Sequence, residues 1–192
     1  MKKRNLFAIV AAAILLAACI PSVNPFYTDK DVVFDPHLLG EWQDNENTNN
    51  PEMWKFEQST NNAFDLTVTE EGKTGTFRAH LFKLNSEQFL DLIPTGVDYA
   101  TNQAYLVGIS MFPGHLLMRI GQTDPELKIG VCDYDWLEKY LKQNPKELSH
   151  HMEYESIVLT ADTRDLQKFV LNHLGTNELF KEYGTMIRRP KE

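Results

Sequence analysis

A two-residue hydrophobic period dominates the chain and limits what it can fold into. Phe64, Leu66 and Val68 alternate with Asp65, Thr67 and Thr69, the pattern of a strand with one face buried and the other in water. After the turn Glu71-Gly72-Lys73, Phe77, Ala79 and Leu81 alternate with Arg78 and His80. Asn85-Ser86-Glu87 marks a second turn, and the run Phe89 to Ile93 that follows is broken by Pro94-Thr95-Gly96. Ala104 to Phe112 and His115 to Ile120 read as a hairpin around Pro113-Gly114. Leu127, Ile129 and Val131 mark another strand, and Glu153 to Thr160 one more. Turn signals about 8–12 residues apart favour an antiparallel barrel or sandwich over a parallel sheet. The expectation is a mainly β domain, an antiparallel β-barrel with flanking helices. The alternative is an α+β domain with an open antiparallel sheet or sandwich, because periodicity does not record which strands pair.

Two helices interrupt the strands. Asp135 and Glu138 have capping-box spacing at the head of residues 136–142, which Asn144-Pro145 ends. Asp162 or Thr163 can cap a second helix, whose stripe is Leu166, Phe169, Val170 and Leu174, with Gly175 at the position after its last turn. A short third helix over 176–183 and a last strand over 185–189 complete the expected order.

The first 18 residues have a different character. Lys2-Lys3-Arg4 precedes thirteen residues, Leu6 to Ala18, without a polar side chain. That is too short to span a bilayer and right for the apolar core of a secretory signal. It ends in Leu16-Ala17-Ala18-Cys19, which resembles the lipobox of bacterial lipoproteins. The resemblance implies that the Cys19 thiol takes a diacylglycerol and that cleavage falls just before it. Two or three acyl chains make such an anchor permanent. Ile20 in place of Asp after the Cys favours the outer membrane, facing the periplasm, in a cell that has one. The domain reading is therefore a lipoprotein signal over 1–18, a lipidated tether over 19–37 containing Pro21, Pro25 and Pro36, and a β-barrel-type domain over 38–192. Losing three cations with the signal takes the net charge from −8 to −11, which argues against a nucleic-acid partner and against charge-driven binding to an anionic membrane. With Cys19 committed to lipid, Cys132 is left alone and reads as a small core residue.

The body opens on Leu39-Gly40-Glu41-Trp42. A Gly-x-Trp on the first strand of an antiparallel barrel resembles the lipocalin and wider calycin fold. The resemblance implies structural roles for Gly40, as a tight entry, and for Trp42, as the plug of the closed end. Arg188 is the candidate for the family's late arginine that packs on that Trp. Asp133-Tyr134 only partly echoes the family's second motif, and the helix at 135–142 is an addition to its pattern.

Enzyme signatures are lacking: there is no Gly-x-Ser-x-Gly, His-Glu-x-x-His, phosphate loop or dinucleotide fingerprint. The expectation is a protein without catalytic residues, cofactor or metal. His150-His151 cannot share one metal from a regular strand, whereas His151 and Glu153 could, with His80 or His115 as a further ligand. Asp133 and Asp135 read as a turn and a helix cap rather than an acid–base pair. Arg78 and Arg119 would meet a ligand carboxylate only if their strands turned those faces inward. Asn45 to Pro51 is a polar loop that could rim a barrel mouth. The functional expectation is an envelope protein that binds a small hydrophobic ligand in its barrel. The alternative is an interaction, assembly or inhibitor lipoprotein whose barrel is filled, with an envelope protein as partner. The state of the barrel interior separates the two.

Overall fold

The computed structural model describes residues 20–45, 51–96, 114–153, 156–176, 179–180 and 184–189. The expected lipidation site Cys19, the expected strand Ala104 to Phe112 and most of the Asn45 to Pro51 loop lie outside these residues.

Eight antiparallel strands close into a barrel: β2 (Gly40–Asp44), β3 (Met53–Gln58), β4 (Ala63–Glu70), β5 (Lys73–Leu84), β6 (Glu87–Gly96), β7 (His115–Gln122), β8 (Glu126–Val131) and, last, β11 (Gly184–Arg188). Neighbours in sequence pair from β2 through β8, and β11 completes the ring between β8 and β2. The expected antiparallel barrel is thus the fold adopted, in place of the alternative open sheet or sandwich. Tight hairpins follow from residues that tolerate positive φ: Asn61 and Asn62 between β3 and β4, Glu71 and Gly72 between β4 and β5, and Asn85 between β5 and β6.

The periodicity maps directly onto this ring. In cross-strand register Trp42 faces Trp54, which faces Val68; Phe56 faces Leu66, which faces Phe77; Phe64 faces Ala79, which faces Leu92, which faces Leu116. These side chains point inward and are buried as one cluster with Leu81, Leu90, Met118, Ile120, Leu127 and Met186.

A second core lies on the outer face of the β5–β6–β7 wall. Phe82, Leu84, Phe89 and Leu117 point outward and are covered by helix α1 (Tyr134–Gln143), by the hairpin of β9 (His150–Glu153) and β10 (Ser156–Leu159), and by helix α2 (Thr163–His173). The expected single strand over 153–160 is replaced by that hairpin, with Ser156 opposite Glu153. Asp133, not Asp135, caps α1, its side chain accepting from the Trp136 amide. Asp162 caps α2 as expected. Leu174–Thr176 prolongs α2 as a 3-10 turn, so Gly175 is part of the helix end instead of the residue beyond it.

The Pro-containing segment read as a tether is built into the domain, which corrects that boundary from Ile20 onward. β1 (Pro21–Ser22) pairs antiparallel with β7 and parallel with β10. Ile20, Ser22 and Phe26 are buried. The Val23 amide donates to Leu159 O at 2.9 Å, and Asn24 Nδ2 donates to Ala161 O at 2.9 Å. Further along, the Val33 amide donates to Leu81 O and the Lys83 amide to Asp31 O. Phe34 then stacks on Phe64 at 4.9 Å as the chain turns under the barrel. Prolines suit this arm because Pro21 is the first residue of a two-residue strand, Pro25 lies outside any strand and Pro36 opens a 3-10 turn.

Candidate functional site

Three places in the molecule bear on function: the closed end of the barrel, its interior, and a polar cluster beneath the N-terminal arm.

At the closed end a 3-10 turn, Pro36–Leu38, crosses below the strands. Trp42 Nε1 donates to Leu38 O at 2.9 Å, satisfying the indole of a fully buried ring. Arg188, opposite Trp42 in register, places its guanidinium 3.9 Å from the ring centroid and donates to Leu39 O and His37 O. Gly40 has φ +111°, and a Cβ there would stand 2.9 Å from Arg188 Nη1. The glycine is needed both for backbone freedom and for the close approach of the arginine. Burial works to raise the carboxyl of Asp35, which starts this turn. Hydrogen bonds from the His37 amide, the Thr123 hydroxyl and the His37 ring outweigh it and hold the carboxyl below its ordinary value.

The interior is filled. Trp42, Phe56, Phe64, Phe77, Leu66, Leu81, Leu90 and Leu92 are almost completely inaccessible. Phe56 meets Phe64 edge to face, their centroids 6.0 Å apart. A small void of about 10 Å³ lies in the second core, between Ile20, Phe26, Leu117, Cys132 and the helices, at most the size of one water.

Neither arginine expected to reach a ligand points into this interior. Arg78 lies on the outer face of β5 and pairs with Asp65 at 2.9 Å. Arg119 lies on the outer face of β7 and pairs with Glu87 at 2.6 Å. Their inward neighbours Phe77, Ala79, Met118 and Ile120 take the core, so the reverse orientation is closed to them. His150 and His151 point apart: His150 Nδ1 meets Leu148 O at 2.7 Å, whereas His151 Nε2 lies 3.4 Å from Glu153 in solvent. Among the described residues no three His, Cys, Asp or Glu side chains are placed to hold a metal ion. Cys132 is buried, its thiol directed at Leu117 O.

The polar cluster is assembled by register. His80 on β5 faces Asp91 on β6, which faces Leu117 on β7, and His115 is two residues from Leu117 on the same outward face. Asp91 is completely buried. Its Oδ1 lies 2.6 Å from His115 Nδ1, and its Oδ2 accepts from the Phe26 amide at 2.9 Å. Tyr27 stacks on His80 at 4.5 Å, its hydroxyl 3.0 Å from His80 Nδ1. Burial pushes the His80 imidazole below its ordinary pKa; the Asp91 charge opposes this, and those of Arg78 and His115 add to it. Burial, with the Asp91 and Asp29 charges, pushes the Tyr27 phenol up to about 12. Ser22 stands opposite His115 in register, but its hydroxyl takes the Asn24 amide. A carboxylate that orients an imidazole is a component of nucleophilic catalysis. Here its second oxygen is committed to the arm backbone, so its visible work is to fasten that arm to the barrel wall.

On β3, where Trp54 stands opposite Trp42 in register, Trp54 Nε1 donates to Glu52 Oε1 at 2.7 Å. Burial pushes the Glu52 carboxyl above its ordinary value; the Trp54 bond opposes this, and the nearby Glu70 and Asp44 charges add to it.

The sequence reading named His80 and His115 only as further ligands for His151. It missed their meeting around Asp91, although a lone carboxylate inside the run Phe89-Leu90-Asp91-Leu92-Ile93 signals a buried, partnered charge. Comparison of the chain with protein-family models, with curated proteins and with solved structures gives no match.

Proposed function

We propose that this is a lipid-anchored protein of the bacterial envelope, held through Cys19, whose barrel is a filled scaffold and whose work is done by its outer surface against another envelope protein. The observation that carries this reading is the interior. Inward-pointing aromatic and branched side chains occupy the space in which a hydrophobic ligand would have to sit, whereas carrier barrels keep that space open. The Gly40, Trp42 and Arg188 arrangement supports grouping the barrel with the lipocalin-like folds, as a member in which the pocket is given over to packing.

The test is native mass spectrometry of a Cys19→Ser form, purified without detergent, followed by titration with fatty acids and an environment-sensitive apolar dye. A clean apo mass with no uptake is the expected result. A stoichiometric co-purified lipid, or saturable uptake that competes with the dye, overturns the filled-scaffold reading in favour of a carrier.

A further inference from the structure

A lipid anchor is usually pictured on a stalk. Had residues 20–37 been free, they would reach roughly 60 Å when extended. In this fold the stalk has been used up. Ile20 is 4% exposed, and the chain from Pro21 to Asp31 is held by five elements. β7 and β10 pair with β1. α2 supplies Thr163 Oγ1 to Pro25 O at 2.7 Å and Gln167 Nε2 to Phe26 O at 3.0 Å. β6 supplies Asp91 to the Phe26 amide, and β5 supplies His80 to Tyr27.

From these contacts we infer that the mature domain has no stalk and lies against the lipid surface, through the flank where the arm runs between β7 and α2. This rests on the lipid-anchor reading of Cys19. No residue intervenes between that Cys and the buried Ile20. The only exposed large apolar side chain among the described residues, Val23, follows four residues after Cys19. Four Cα–Cα steps span at most about 15 Å, so Val23 cannot stand further than that from the lipidated backbone. In the ring of eight strands β3 is diametrically opposite β7. The outer face of β3, carrying Lys55 and Glu57 paired at 3.0 Å, therefore points away from the membrane and is the face presented to a partner.

The test uses the full chain expressed in a bacterium that acylates it and reconstituted in phosphatidylethanolamine/phosphatidylglycerol vesicles containing a headgroup-nitroxide lipid. A bimane probe is placed on Val23→Cys or on Lys55→Cys; Cys132 is buried, and the parent carried through the same labelling step is the control for it. Mass spectrometry of the N-terminal peptide reports acylation separately. The expected result is acylated protein in which the Val23 probe loses most of its emission and the Lys55 probe keeps it. Inserting a flexible Gly/Ser segment of about ten residues between Cys19 and Ile20 should restore the Val23 emission. Acylated protein with an unquenched Val23 probe overturns the stalkless placement alone. Quenching at Lys55 overturns the assigned orientation. An unacylated Cys19 overturns the anchor reading, and the placement with it.

Discussion

Arg188 and Trp42, 146 positions apart in sequence, face each other across β11 and β2 with the guanidinium 3.9 Å over the ring. The arginine also takes the carbonyls of His37 and Leu39, so one side chain closes the barrel seam and fixes the turn beneath it. Removing it in Arg188→Ala should cost about 1–2 kcal/mol, the sum of a partly solvated cation–π contact and charge-assisted bonds. Arg188→Lys should recover little, because an ammonium cannot span both carbonyls from the ring face. Gly40→Ala should cost about 2 kcal/mol, since it forces a Cβ into a left-handed backbone and against the arginine. Urea midpoints at fixed slope measure all three.

Phe64→Ala should destabilise by about 3–5 kcal/mol, because Phe64 lies between Phe34, Phe56 and the Ala79 wall with no surface exposed. The variant should also acquire what the parent lacks, a dry cavity that takes up benzene or xenon. Detection is by ligand-dependent stabilisation. Equal uptake by parent and variant would mean that the parent interior is already open.

Asp91→Asn should cost about 3 kcal/mol, because it disturbs a buried carboxylate that serves both an imidazole and a backbone amide. Hydrogen exchange should show where the loss falls. Protection of the Val23 and Phe26 amides should drop before that of the β4 and β5 strands, since the arm opens before the barrel does.

His80 and Tyr27 make the arm sensitive to pH at both ends of the scale. Burial holds His80 below 6.5 in the fold, so the unfolded chain binds its proton more readily. The stability this neutral imidazole contributes is complete above 6.5 and is lost as pH falls through the lowered folded value. Tyr27 runs the other way, raised from 10.0 to about 12. Its contribution is complete below 10.0 and is lost as pH rises from there to about 12. Urea midpoints against pH should therefore decline on the acid side less in His80→Gln than in the parent. On the alkaline side they should decline less in Tyr27→Phe.

Much of the barrel was legible because its strands separate apolar from polar residues at every second position. Phe64, Leu66, Val68 and Phe77, Ala79, Leu81 needed no knowledge of their partners to be read as inward. The same alternation placed Arg78 and Arg119 opposite the apolar set and left only the direction of that set open. The Gly-x-Trp resemblance called for a late arginine, but only the register of β11 on β2 picks out Arg188. The arm was not legible, because three prolines and mixed polarity describe a docked irregular segment and a free linker equally well. What distinguishes them is a groove formed by β7, β10 and α2, elements far away in sequence. The cap of α1 shifted from Asp135 to Asp133 because two acceptors two residues apart offer the same local chemistry. The His80, Asp91 and His115 cluster is a product of register alone, and register is not written in any one strand.

The placement of β11 after the other seven barrel strands has a consequence for how the molecule comes into being. A meander of seven strands has two open edges, β2 and β8, and the segment Gly184–Arg188 joins them. Until those residues arrive, both edges offer unpaired backbone groups to any neighbouring strand, and closure must then bring together segments far apart in sequence, the slow kind of contact to make. A copy lacking residues 184–188 would keep nearly all of its hydrophobic residues and still be an aggregation hazard, so the quality of the whole product rests on that pentapeptide strand.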